Sequence, residues 1–586
     1  MLGDQSPAEV AAIMEACFGA APLPQFHDAA ARERALATAG EQGFCERVEA
    51  GLADGEPIAA LPYGVFRQYR RIGNRTSFEK LQRHRGEQIG LAATACWLGI
   101  DKSAYLNDLL WAECEATWWV MPAHENHGTP IDLRVALCGC QYAKILSLLG
   151  GCIEPEVRER LLDELHRRIL RPLLDPAARH GWMASTNNWN AVCIGNVCIM
   201  AMLIETEPAR LGRLIAKSLS ALPNFVRGFA ADGGCTEGPS YWRFGFGWFI
   251  RLAAALHDYT GGQIDIAAGG QIERICRYPL TVALGGGEEL TFADAHSGYQ
   301  DPVTVMLINR FHDAGELRSL CELREDGRPK LTTVEEALLY DGWAAGPIAG
   351  GDHFLPELGV GLIRSGPLAV GAKGGHNAEH HNHNDVGSFI AYRDGVTYLT
   401  DPGAPIYSAR TFSDRRYESI FCNSFGHSVP VIDRQPQPPG REYEGTIEGS
   451  GLGGDGAKSL HVEFGEAYDV ESIERVGRTI ELAAGGRQMG LTDTFEFSSP
   501  PASVEEAFMT THPADVADDG LSVTIRPEGA PAATLAAVDT PGRFEMAELV
   551  EESQAESRTG VLLRRIRFTP TELSGRMTLR FVLRFE

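Results

Sequence analysis

Near residue 350 the hydrophobic period of the chain changes, and that change decides the architecture. Upstream, apolar residues recur every three or four positions, as in 155–170, where Val157, Leu161, Leu162, Leu165 and Ile169 mark one helical face. Further apolar helices are expected near 134–149, 191–205, 208–229, 244–258, 272–284 and 302–313, joined by links such as Leu149-Gly150-Gly151 and Gly261-Gly262. Many helices on short links predict stacked helical hairpins, a solenoid or a closed toroid. Downstream come short strand-like segments at 360–366, 368–374, 387–401, 427–433, 460–465, 478–497, 521–527 and 577–586, with Gly, Asp and Pro between them. They predict a β-sandwich or stacked antiparallel sheets, with Asp394-Gly395 at a hairpin turn. The expected division is 1–345 and 346–586, inside the Gly-rich stretch 341–353.

Charge narrows what such a chain can meet. Its 53 Lys and Arg against 78 Asp and Glu leave −25, which argues against a general nucleic-acid binder, because phosphates need a basic surface. One segment runs the other way. Residues 67–85 hold seven Lys and Arg against a single Glu. Such a run is a solvated helix face or the landing strip for an anionic substrate, with Arg71 and Arg75 in its first half. No apolar run reaches the 18 residues a membrane-spanning helix needs. The N-terminus lacks a basic region, and Asp4, Glu9 and Glu15 interrupt its apolar residues, which makes a poor secretory signal. Thirteen scattered cysteines, an odd number, favour a reducing compartment. The expected location is the cytoplasm, or the periplasm or exterior if a leader has been removed.

Four of the 17 histidines fall between His376 and His383. On an extended segment, His381-Asn382-His383 would point both imidazoles to one face, which suits a metal ligand beside an acid–base group. The hairpin through Asp394-Gly395 returns Asp401 near His383, and a third segment, Asn423-Ser424-Phe425-Gly426-His427, leads into another strand. His383, Asp401 and His427 thus form a candidate three-ligand site for one divalent ion, Zn²⁺ or alternatively Mn²⁺. The plain alternative is a turn aspartate before Pro402 and a turn histidine. In the helical half, Asn187-Asn188-Trp189-Asn190 opens an apolar helix, where capping explains one residue but not the whole run. Glu237-Gly238-Pro239-Ser240-Tyr241-Trp242 demands an irregular backbone and delivers Tyr241 to the head of a helix, unless both aromatics are core.

Taken in order, these motifs, together with Trp118-Trp119, Pro122-Ala123-His124 and Asn423 to Pro430, resemble the heparinase II/III-like superfamily of polysaccharide lyases, which stands alongside the oligoalginate lyases. The resemblance implies an α/α toroid followed by antiparallel β-sheets, with the active site in the cleft between them. It implies cleavage of uronic-acid polysaccharides by β-elimination, leaving a 4,5-unsaturated sugar. Its pattern puts carboxylate neutralisation on Asn187 or Asn188, the acid and often the base on Tyr241, and neutralisation or base duty on His381. It puts a structural metal on His383, Asp401 and His427. Some relatives carry Asn-His where this chain has Asn188-Trp189. A further tyrosine base is expected at Tyr407 or Tyr417. Substrate contacts are expected from Arg71, Arg75, Trp189, Glu237, Trp242, Tyr407, Arg416 and Tyr417.

Hyaluronan, chondroitin and heparan sulfates are the leading substrate class, with alginate the close rival. From another class, a non-catalytic glycan-binding protein would not need both Tyr241 and His381. A glycoside hydrolase usually sets two carboxylates across the bond, whereas the polar runs here are rich in Asn, His and Tyr.

Overall fold

The computed structural model describes residues 5–52, 57–127, 130–348 and 350–586. Helices fill the first part apart from a two-stranded hairpin, Ala283–Gly285 with Glu288–Glu289, and its last helix, Val334–Leu339, precedes the strand His353–Leu355 that opens the larger sheets. Among the described residues no helix is long and apolar enough to cross a membrane. The helix Asn188–Ile204 is apolar on every side and almost wholly buried, so it is an inner helix packed against Leu133–Leu148 and Pro239–Thr260. Close packing needs small residues there. A Cβ on Gly195 would stand 2.8 Å from the Trp248 carbonyl oxygen, and one on Gly245 would stand 3.0 Å from the Asn188 Cβ.

The second part holds three antiparallel sheets. Five strands run in chain order, His353–Leu355, Val360–Ser365, Leu368–Lys373, Phe389–Arg393 and Val396–Leu399. A nine-stranded sheet places the C-terminal strand Arg576–Phe585 between Ala533–Ala537 and Gln488–Phe497, and ends at the short strand Gly375–Asn377. Four more strands run Gly542–Glu548, Arg564–Pro570, Val504–Thr510 and Val431–Ile432.

The five-stranded sheet is buried on both faces. Val360, Leu362, Ala369, Ile390 and Tyr392 belong to the core of the helices. Their neighbours Ile363, Leu368, Val370, Phe389 and Ala391 belong to the core of the sheets. Side-chain alternation along each strand therefore feeds two cores at once. This shared wall fixes the helices against the sheets, and the histidine-rich segment between its third and fourth strands lies at the junction.

The expectation of an extended His381-Asn382-His383 segment needs correction. Residues 379–387 are turns, bends and irregular backbone, and His381 has φ +58°, a left-handed conformation uncommon for a side chain of this size. Strand alternation does not bring the two imidazoles together; a tight turn wrapped around a carboxylate does.

Candidate active site

Gly238 takes φ +88°, and a Cβ there would lie 2.9 Å from the Ala295 Cβ, so a glycine is required. Pro239 then starts the helix Pro239–Thr260 in its first turn, and Tyr241 projects from it towards the sheets. The Tyr241 ring stacks on the His381 imidazole at 4.1 Å and 16°. Its hydroxyl is hydrogen-bonded to the Tyr407 hydroxyl. Of the two tyrosines left open by the sequence, Tyr407 is the one at Tyr241; Tyr417 instead accepts a hydrogen bond from Asn382 Nδ2 at 3.3 Å.

These groups converge on Asp294, a fully buried residue that no sequence motif marks. One carboxylate oxygen accepts from His381 Nδ1 at 2.9 Å and from the Tyr407 hydroxyl at 3.0 Å. The other accepts from His383 Nε2 at 2.9 Å and Arg416 Nη2 at 2.8 Å. Burial alone would raise this carboxyl, but the two imidazole hydrogen bonds and the Arg416 charge hold it well below the usual carboxylate range. Burial, and then the Asp294 charge, push both phenols up, so Tyr241 and Tyr407 keep their protons at neutral pH. With Asp294 ionised, His381 Nδ1 must be its donor, which leaves Nε2 as the basic nitrogen of the neutral ring.

The opposite edge of His381 faces the helices. Nε2 lies 3.5 Å from Glu237 Oε2. Glu237 accepts from the Asn188 backbone N–H at 2.8 Å and from Asn188 Nδ2 at 2.6 Å, which fixes that amide at the start of the inner helix. Asn187 is the cap of the same helix, its side chain accepting from the Trp189 N–H. Trp189 sets its ring edge-on to His124 at 4.6 Å, and His124 is bonded through Nδ1 to Asp132 at 2.8 Å.

Three expected substrate contacts are corrected. Trp242 is 1% exposed and donates its Nε1 hydrogen to the Ile275 carbonyl, so it is core. Glu237 is buried and committed to Asn188. Arg416 is committed to Asp294 and to the carbonyls of His381 and Asn382, so it positions rather than binds. Arg71 is exposed near the Tyr63 ring, whereas Arg75 pairs with Glu79 and lies 5.8 Å from the Tyr407 ring centre.

His383, Asp401 and His427 offer ligand atoms within 4.8 Å of one another, and all three are buried. His427 Nδ1 lies 2.8 Å from Asp401 Oδ2. His383 Nδ1 is buried with no hydrogen-bond partner, which is the feature a bound cation would explain. A second group, Asp294, His383 and Cys422, meets the same distance limit, but its carboxylate already serves four donors.

No family model matches the chain, and no curated protein matches it. Solved structures do match. The structure of heparinase III has a TM-score of 0.63 at 14% identity, covering 95% of this chain and 85% of that one. A heparan sulfate lyase from Pedobacter heparinus has 0.56 at 13%, covering 97% and 93%. The Paenibacillus xanthan lyase has 0.56 at 10%, covering 96% of this chain and 60% of its own. The fold is therefore the helical toroid with antiparallel sheets that these polysaccharide lyase structures share.

Proposed function

We propose that the protein is a polysaccharide lyase that cleaves uronic-acid glycosaminoglycans by β-elimination. The observation that carries this reading is the stack of Tyr241 on His381, with Asp294 behind the imidazole. A uronate C5 proton is very weakly acidic while its carboxylate keeps full charge. Of the two asparagines, Asn188 is 2% exposed and gives its Nδ2 hydrogen to Glu237, whereas Asn187 is only partly buried, and its amide stabilises the enolate-like state, as an oxyanion hole does. His381 Nε2 takes the C5 proton. The C–H electron pair becomes the C4–C5 double bond, and the C4–O4 bond breaks. Tyr241, its proton retained by burial, gives that proton to O4. After product release the imidazolium loses its proton to solvent and the Tyr241 phenolate regains one, so the pair is reset and no water is consumed.

The test is ultraviolet absorbance of the 4,5-unsaturated uronate over a panel of hyaluronan, chondroitin sulfate, heparan sulfate, heparin and alginate. Turnover is expected on glycosaminoglycans, and Tyr241→Phe should lower it roughly 10²–10⁴-fold with an unchanged melting temperature. Turnover of alginate alone would move the substrate class to that polymer. Near-normal activity in Tyr241→Phe would remove the mechanism.

We further propose that His383, Asp401 and His427 hold one divalent ion, Zn²⁺ or alternatively Mn²⁺. The donor set suits either ion, and the orphaned His383 Nδ1 supports it. When bound, the ion ties three separate segments of the sheets together. His383→Ala should purify with less metal and melt lower, while His381→Ala keeps both metal and stability. Equal metal in wild type and His383→Ala, by elemental analysis, would sink the site.

A further inference from the structure

The His381 ring orders the site along a line. Its Nδ1 edge faces Tyr407, at 3.4 Å from the hydroxyl, and its Nε2 edge faces Glu237, which holds the Asn188 amide. Beyond each end of that line, the helices touch the sheets.

On the Tyr407 side the contact is a strap formed by the helix Gln68–Ile72 and the turn after it. Asn74 forms a bridge with Ser408, and the Ala409 N–H donates to the Gly73 carbonyl at 3.2 Å. Gly73 has φ +72°, and a Cβ there would stand 3.2 Å from the Ala409 Cβ, so the two backbones are in close contact. Arg75 follows, with its guanidinium 5.8 Å from the ring centres of both Tyr407 and Phe412. On the other side, Thr186 Oγ1 is hydrogen-bonded to His380 Nε2 at 2.9 Å, one residue before His381. Between these contacts little surface is open. Asn188 is 2% exposed, and the His381 side chain is 16% exposed.

We propose that the cleft is closed at both flanks, so that a glycan chain enters end-on and is shortened from a terminus. This inference rests on the lyase reading above. A through-going groove would let an internal segment of a polymer lie across the stacked rings. The strap's contacts with Ser408 and Ala409, the two residues after Tyr407, close that side against such a chain. The wall it makes also carries the means to hold a chain end. Arg75 and the exposed Arg558 each set a guanidinium 5.8 Å from the Tyr407 ring centre. Arg75 is paired with Glu79, so the exposed Arg558 is the cation that a carboxylate or sulfate on the terminal sugar meets there. The favoured substrates are accordingly oligosaccharides and polymer ends.

The experiment follows polymer size and unsaturated product together, using whichever polysaccharide the panel identifies. Expected is one small unsaturated product from the first turnovers, with the viscosity of the remaining polymer nearly constant while absorbance rises. Ala409→Leu, outside the catalytic groups, wedges the strap away from Gly73. It should lengthen the early products into a ladder and make viscosity fall at least several-fold faster per bond cut, with a melting temperature close to wild type. A ladder of long unsaturated products from the wild-type protein would overturn end-on entry. So would a product pattern unchanged by a folded Ala409→Leu variant. Absence of unsaturated product from every substrate, short oligosaccharides included, would remove the lyase reading and end-on entry with it.

Discussion

Asp294 accepts hydrogen bonds from His381, His383, Tyr407 and Arg416, and no other carboxylate could replace it without moving all four. Its charge selects the His381 tautomer and keeps the two phenols protonated. Asp294→Asn preserves the shape and removes the charge. Its amide offers hydrogens where the imidazoles and Arg416 already do, so the ring that should present a basic Nε2 is driven to the wrong tautomer. We expect kcat to fall roughly 10³–10⁴-fold, by analogy with an aspartate that orients a catalytic histidine, with KM changed little. Arg416 is left as a buried cation without its carboxylate, so stability should fall by about 3 kcal/mol, the lower end for breaking a buried pair, because its backbone acceptors remain. Wild-type-like turnover would assign Asp294 to folding alone. Tyr241 and His381 were legible in the sequence because unusual neighbours surround them. Asp294 was not, because a single aspartate 87 positions before His381 has no local pattern to announce it. Trp242 and Arg416 depart from expectation for the converse reason. Their residue types suit a sugar, and only the fold shows that their polar atoms are already taken.

The strand Leu368–Lys373 is buried along its whole length, and its last residue is a lysine. Lys373 Nζ lies 2.5 Å from Asp385 and 3.8 Å from Glu379, so one buried ammonium serves two carboxylates and sits closer to the first. Burial, only partly offset by Lys373, raises the Glu379 carboxyl from 4.5 to about 7. The fold therefore prefers this group protonated. Its contribution is complete below pH 4.5 and is lost as pH rises through about 7. Glu379→Gln mimics the neutral acid at every pH. Relative to wild type, the variant should gain up to about 3 kcal/mol between pH 5 and 8, from roughly 1.4 kcal/mol per pKa unit. Urea unfolding at several pH values measures it, and a wild-type–variant difference that does not change with pH would refute the assignment. The helices were legible as elements because period and Gly-Pro punctuation agree, as in Pro239–Thr260. The strands of the five-stranded sheet were legible mainly from their turns, since a strand buried on both faces reads as a continuous apolar run. The turn at His381 was not legible, because its left-handed backbone is imposed from outside by Asp294 and Arg416 rather than by a glycine.

In the whole molecule, the five-stranded sheet is the wall of two cores, and neither half can bury its apolar surface alone. We expect a single cooperative heat-absorption peak, with helical and strand signals lost together, and we expect residues 346–586 expressed alone to bind hydrophobic dyes or aggregate. Two resolved transitions would show that the halves are independent. The change of period near residue 350 indicated two kinds of structure but not their union, because nothing in a strand's own sequence says what covers its second face. The shared wall also sets the mechanical tolerance of the catalytic centre. Tyr241 and Asn188 are carried by the helices packed on it, and His381 and Tyr407 by segments that leave its own strands, so their alignment is inherited from the packing of residues such as Leu362 and Ile390. Trimming those side chains should blunt turnover well before it unfolds the protein, as worn bearings spoil a machine whose parts are all still present.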